Sequence, residues 1–274
     1  MRAPARRALA DERHPGTLAV TAALALALAV NLPAPVATAD APRQRDDRFA
    51  GLSWTFVRIR YSAFTVPGGF GDILNEPWAV DFDAADQNLS RRLGAVTAIR
   101  VNPPIVLTLE DPNLWLYPWI YMVEPGNLRL KETEAPILRE YLLRGGTLTL
   151  DDFHGPIEFA NVERELGRVF PGRPIVDLGT DHPMFSSFYT IDRYPQIPGL
   201  GSFFRGVTWE KGGYVPMLRA VLADNGRPMV LINWNTDMGD GWEWSNAMEY
   251  PGYIKYTADA YRMMINEITY VLTH

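Results

Sequence analysis

Three stretches of the chain concentrate side chains able to do chemistry. Asp151, Asp152 and His154 stand together in DDFHG (151–155), Asp181 and His182 precede Pro183, and Asp237, Asp240, Trp242 and Glu243 lie in DMGDGWEW (237–244). Carboxylates are hard oxygen ligands and neutral imidazole a borderline nitrogen ligand, so these groups, brought together, would hold a divalent cation and activate a bound water. In that reading Asp152, His154 and His182 are the candidate metal ligands and Asp152 with His154 the candidate catalytic pair. Asp151, Asp181, Asp237, Trp242 and Glu243 complete the ligand site, and no cofactor other than the divalent metal is assigned. A plainer reading has the strand-end acids capping the next helix, Asp181 or His182 ordering a turn before Pro183, and the DMGDG acids solvating a loop. Asn233, Asn235 and Asp237 share the alternate spacing of a calcium loop, but Met238 stands where that loop needs glycine.

What is missing is as informative. The chain has no cysteine, which excludes thiol nucleophiles, thiolate metal sites and disulfides. Ser186 and Ser187 have no base at a spacing that would make either a nucleophile. Trp209, Trp234, Trp242 and Trp244 fall in or beside expected loops, where an indole stacks on a sugar ring or anchors a protein partner. The alternative is that they pack the loop layer onto the core.

The elements that must position these groups follow from hydrophobic periodicity. Val57, Ile59 and Tyr61 alternate with Arg58 and Arg60, predicting a strand covered mainly on one face. Short apolar runs at 105–109, 119–123, 147–150 and 175–178, each closed by acids and a turn, predict parallel strands buried on both faces. Helices are expected at 77–93, 131–144, 159–170 and 257–272. The first would bury Trp78, Phe82, Ala85, Leu89 and Leu93 and leave Asp81, Asp83, Asp86, Arg91 and Arg92 as a solvated face. Asn225-Gly226 predicts a tight hairpin between 218–223 and 229–234. The Pro-, Gly- and aromatic-rich stretch 189–213 reads as a long ordered loop over the sheet end, and Pro67 to Asp72 as a glycine-rich turn without phosphate-binding spacing. The sum is an α/β fold, a mostly parallel sheet sandwiched by helices, with a C-terminal hairpin and helix. Ligands of such sheets sit outside the carboxyl ends of the strands, where DDFHG falls.

Residues 1–39 stand apart. Arg2, Arg6, Arg7 and Arg13 precede an apolar run from Leu18 to Val30, followed by Ala37-Thr38-Ala39, the pattern of a cleaved export signal. The run is short of a bilayer span, which makes an uncleaved membrane anchor the lesser alternative. Residues 40–53 read as a linker and 54–274 as a single domain. The 274-residue chain carries a formal charge of −6; without four arginines and two acids of the first 39 residues, 22 basic and 30 acidic side chains remain, a charge of −8. That sign opposes nucleic acid and anionic lipid as partners.

VRIRY (57–61), REYLLRGG (139–146) followed by DDFHG, DHPMF (181–185), DMGDGWEW and the ending Ala260-Tyr261-Arg262 with Thr273-His274 together resemble a bacterial domain-of-unknown-function family, numbered four-one-five-nine, over about residues 54–274. The resemblance implies a flavodoxin-like three-layer fold akin to class I glutamine amidotransferases, in cell-envelope proteins encoded near MoxR-type ATPases and von Willebrand A-domain proteins, and it implies no known activity. Where amidotransferases place their cysteine, the turn at 147–155 offers Asp151, Asp152 and His154 but neither thiol nor serine, so glutamine hydrolysis by that route is excluded. The expectation is an exported periplasmic or extracellular module that binds an envelope protein or a glycan, with a metal-dependent hydrolase as the alternative.

Overall fold

The computed structural model describes residues 49–63, 76–246, 248 and 250–274. The expected signal at 1–39 and the glycine-rich turn at 67–72 lie outside these residues. Alternation of side chains across the strands is what builds the layers. Trp54 and Phe56 of β1 (Ser53–Ile59) face one side and Val57 and Ile59 the other; in β3 (Trp119–Val123), Trp119, Tyr121 and Val123 oppose Ile120 and Met122. With β2 (Arg100–Leu107), β4 (Thr147–Phe153), β5 (Ile175–Asp177), β6 (Met217–Leu222) and β7 (Pro228–Trp234), these strands form a seven-stranded sheet in the order β2-β1-β3-β4-β7-β6-β5. Pairing is parallel from β2 through β7, and only β6, the first arm of the Asn225-Gly226 hairpin, runs against its neighbours.

Helices α1 (Ala84–Val96), α5 (Met238–Glu243) and α6 (Ile254–Thr273) bury Leu89, Leu93, Trp242, Met264, Ile265 and Ile268 against one face. On the other, α2 (Glu134–Leu143) and α3 (Gly155–Val169) bury Leu138, Leu142, Val162 and Leu166 against Ile120, Leu148, Leu150 and Ile232. The result is the expected mostly parallel α/β arrangement with a C-terminal helix. The expected long loop, which includes the short helix α4 (Leu200–Phe204), crosses the carboxyl ends of the strands: Ile197 N donates to Thr236 Oγ1 at 2.9 Å and Gln196 Nε2 to Asn235 O at 3.2 Å.

Three local expectations are corrected. Strand β1 is covered on both faces, with Arg58 wholly buried. The helix expected at 77–93 is broken: Pro77–Ala79 is a single 3-10 turn, Asp81 takes a left-handed φ of 61°, and α1 starts only at Ala84. The cause is Arg58, whose Nη1 donates to Trp78 O at 3.0 Å and Val80 O at 2.8 Å, taking carbonyls that a continuous helix would have used. As a result Phe82 is half exposed, and Asp86, expected in solvent, is wholly buried on Arg58. Finally, β4 runs on through Asp151 and Asp152 to Phe153.

Candidate functional site

Strand order reverses between β2-β1 and β3-β4, and the crevice above the carboxyl ends at such a reversal is where open α/β sheets hold ligands. Acids converge there from the end of β4, from the end of β7 and from the segment that follows β1. The β4–β7 register shifts between Leu150 and Phe153, and Asp152 there adopts φ 57°. A bulge of this kind re-aims a side chain out of the sheet's alternation. Its carboxylate Oδ1 lies 3.2 Å from His154 Nε2. From the end of β7 comes Asp237, which caps α5 by accepting from Asp240 N at 2.8 Å. Asp240 and Glu243 lie three residues apart on α5, hence on one face of it. Asp81 arrives from the segment after β1, held there by the Arg58 bonds to Trp78 and Val80.

The outcome is two overlapping trios. Asp81, Asp152 and Asp237 each offer a ligand oxygen within 4.8 Å of the others, and so do Asp81, Asp240 and Glu243. Asp81 Oδ2 is out of reach of solvent and has no hydrogen-bond donor. It lies over Gly239, where an added Cβ would come within 2.1 Å of it, so glycine at that position makes room for the carboxylate. Burial first, then the mutual repulsion of these acids, holds Asp81 and Asp237 well above the usual carboxylate range. Burial also raises Asp240, and burial with Asp240 beside it pushes Glu243 up to about 7. A group of acids that resist ionisation together is a group that a cation would stabilise.

Asp151, a candidate ligand by sequence, has another task. It is fully buried and accepts from Tyr121 Oη at 2.8 Å, Gly239 N at 3.0 Å and Met238 N at 3.3 Å, which fixes the start of α5 on β4. Burial and Asp152 push it up to about 7 against the pull of these three donors. His154 is 1% exposed and its Nδ1 has no partner. Burial disfavours its charged ring, yet the Asp152 carboxylate outweighs that and holds its pKa above the ordinary value.

Two sequence candidates fall elsewhere. Asp181 is exposed, and His182 caps the turn at Pro183–Ser186 by accepting from Met184 N at 3.3 Å, with its ring 5.2 Å from Tyr270. Neither interacts with the trios, because the chain after short β5 turns down onto α6. Trp242, expected to line a ligand site, is wholly buried among Phe56 and Tyr121, since α5 turns it inward and Glu243 outward. Trp209 alone of the four loop tryptophans is exposed, paired with Tyr214 at 4.6 Å.

Several residues that shape the site escape a reading by pattern. Asp81 falls on the helix face that periodicity assigns to solvent; Arg58, a charge in the middle of an apolar strand, takes Asp86 as its acid and two carbonyls of the segment that carries Asp81. Lys211 Nζ reaches Glu158 at 2.6 Å and Glu124 at 3.8 Å, tying the covering loop to the ends of β3 and α3. Gly155 (φ 68°) lets that loop approach, since a Cβ there would sit 2.0 Å from Lys211 O. A surface groove of about 1070 Å³ between α1 and the edge strand β2 is lined by none of the five carboxylates.

The order reversal, the parallel strands and the strand-end acids define a mostly parallel α/β domain with a cluster of acids over the carboxyl edge of its sheet. Residues 55–272 match the family described as Domain of unknown function (DUF4159), and the chain belongs to that family. No curated protein matches it. Among the described residues no helix is long and apolar enough to cross a membrane.

Proposed function

We propose that this is an exported, cation-dependent binding module of the cell envelope, its cation held over the sheet by Asp81, Asp152 and Asp237. The observation that carries this reading is the convergence of three carboxylates from three separate segments within 4.8 Å, one of them with an inaccessible oxygen that no donor reaches. All-oxygen donors of this charge favour a hard ion such as Mg²⁺, Ca²⁺ or Mn²⁺ over a thiol-seeking one. Binding by the loops around the ion, to an envelope protein or a glycan, fits the exposed Trp209–Tyr214 pair on the covering loop. Export is supported by the basic, apolar and small-residue order of residues 1–39, and the mass of the secreted product tests it: an intact N-terminus refutes cleavage.

The test of the cation is thermal denaturation of the chelator-treated chain with Mg²⁺, Ca²⁺, Mn²⁺ or Zn²⁺ added one at a time. An ion at about a hundred times its Kd adds about 2.7 kcal/mol, a rise of about 5 to 10 °C for a chain of this size. Asp152→Asn is expected to abolish the rise. No shift with any of the four ions would remove the reading. A second reading, metal-assisted hydrolysis, draws on the Asp152–His154 contact, since a ligand carboxylate that holds an imidazole places a proton carrier beside the ion. If His154→Ala leaves every ester, amide and phosphoester turnover measured for the loaded protein unchanged, that reading fails while the binding one stands.

A further inference from the structure

We infer that the pocket between α1 and the first turns of α6 binds a phosphoryl group, that of a small phosphate ester or of a lipid head group. The pocket has a volume of about 380 Å³, and its walls include Arg91 and Arg92 of α1, Ser245, and Thr257 and Tyr261 of α6. A space of that size suits a small ligand rather than a bare ion. Among the described residues no carboxylate lines it, so it stands apart from the acids over the sheet.

Its polar groups are set to donate. Arg91 and Arg92 are exposed, and among the described residues neither has a carboxylate partner: Arg91 Nη2 donates to Asn88 Oδ1 at 2.5 Å, and the Arg92 guanidinium lies 5.1 Å from the centre of the Tyr261 ring. Asn88 is itself fixed, its Nδ2 donating to Trp242 O at 2.8 Å and Glu243 O at 3.2 Å, which holds Arg91 on the pocket wall. Tyr261 Oη donates to Ser245 Oγ at 2.8 Å and leaves the Ser245 hydroxyl proton for another acceptor. Thr257 is 6% exposed, and its Oγ1 is sealed from solvent without a partner, a costly state that an acceptor in the pocket would relieve. Helix α6 adds its positive end, since it starts at Ile254 with no side-chain cap and no acid in its first turn. Donors thus arrive from three segments: α1, the turn at Trp244–Asn246 and α6. A tetrahedral oxyanion presents acceptors in as many directions, whereas a carboxylate presents two oxygens in one plane, and guanidinium forks match phosphate oxygens in pairs. A phosphate monoester carries a charge of about −2 at pH 7, which two guanidiniums offset.

The test is calorimetric titration of the full, chelator-treated chain with inorganic phosphate, glycerol phosphate and acetate at fixed ionic strength, with sedimentation on phosphatidylglycerol and phosphatidylcholine vesicles beside it. The expected result is one saturable site that takes phosphate and rejects acetate. Glycerol phosphate binding assigns the site to a soluble ester, and binding to phosphatidylglycerol vesicles alone assigns it to a lipid head group. Arg91→Gln with Arg92→Gln, both exposed positions, should weaken the site at least about tenfold. Thr257→Val should weaken it several-fold while leaving the Tm of the phosphate-free chain no lower, a combination that a purely structural hydroxyl would not give. No saturable binding of phosphate, glycerol phosphate or phosphatidylglycerol vesicles overturns the site, and so does binding that is unchanged in the double arginine variant. With metal removed, phosphate held through a cation does not count, and failure here leaves the cation reading standing.

Discussion

Replacing Arg58 by Met tests the link between the core and the site. The guanidinium has no exposed surface and makes five hydrogen bonds: three to the Asp86 carboxylate, from Nε to both oxygens at 3.0 Å and from Nη2 to Oδ1, and two to the carbonyls of Trp78 and Val80. Arg58→Met removes all of them and leaves Asp86, also without exposed surface, as an uncompensated buried acid. Breaking one side of such a pair costs about 3–5 kcal/mol, which in a chain of this size lowers Tm by about 6 to 20 °C. Burial already raises the Asp86 pKa, and Arg58 is what opposes it. With Arg58 gone the folded state would hold a proton that the unfolded state releases, so the variant should recover stability as pH falls toward 5. Adding Asp86→Leu removes the stranded charge and should restore at least half of the loss. It should not restore cation binding, because Trp78 and Val80 still lack the donor that delivers Asp81. Urea melts and Mn²⁺-induced thermal shifts of the three proteins measure both. A loss below about 1 kcal/mol in the single variant, or an unchanged Mn²⁺ shift in the double one, would refute this account of how Asp81 is placed.

Glu267 of α6 is wholly buried, and burial, with Asp151 nearby, pushes it up to about 8 against weak bonds from Asn233 and Thr149. Between the ordinary carboxyl value and pH 8 the folded chain thus keeps a proton that the unfolded chain gives up, and this group's contribution to stability falls as pH rises by at most about 1.4 kcal/mol per pH unit. Glu267→Gln should gain on the unaltered chain steadily from pH 5 to 8 in urea melts, and parallel curves would contradict the assignment. Gly239→Ala places a Cβ 2.1 Å from Asp81 Oδ2, the movable end of a side chain. It should therefore change stability by no more than about 1 kcal/mol while suppressing the Mn²⁺ shift; a normal shift would mean that Asp81 is not where the ion binds.

Much of the architecture is written locally. Strand β3 was expected at 119–123 and is found at Trp119–Val123, because a five-residue apolar run between turns has one way to be buried. The hairpin about Asn225-Gly226 and the inward face of α6 follow equally from positive-φ preference and helical period. Asp152, Asp237 and Glu243 were also visible as candidates, since acids at the ends of buried strands of an α/β sheet point to its ligand edge. Other parts of the site were not. Periodicity assigned Asp81 and Asp86 to a wet helix face, and only the packed structure reveals that Arg58, twenty to thirty residues earlier, unwinds that helix, buries one acid and hands the other to the crevice. His182 and Trp242 erred the other way, as plausible ligands that α6 and the aromatic core take for themselves. A run of residues determines which segments will be strands and helices, because period and turn preference act over a few neighbours. Which acids meet is decided by the tertiary structure, because a buried charge chooses its partner across the fold.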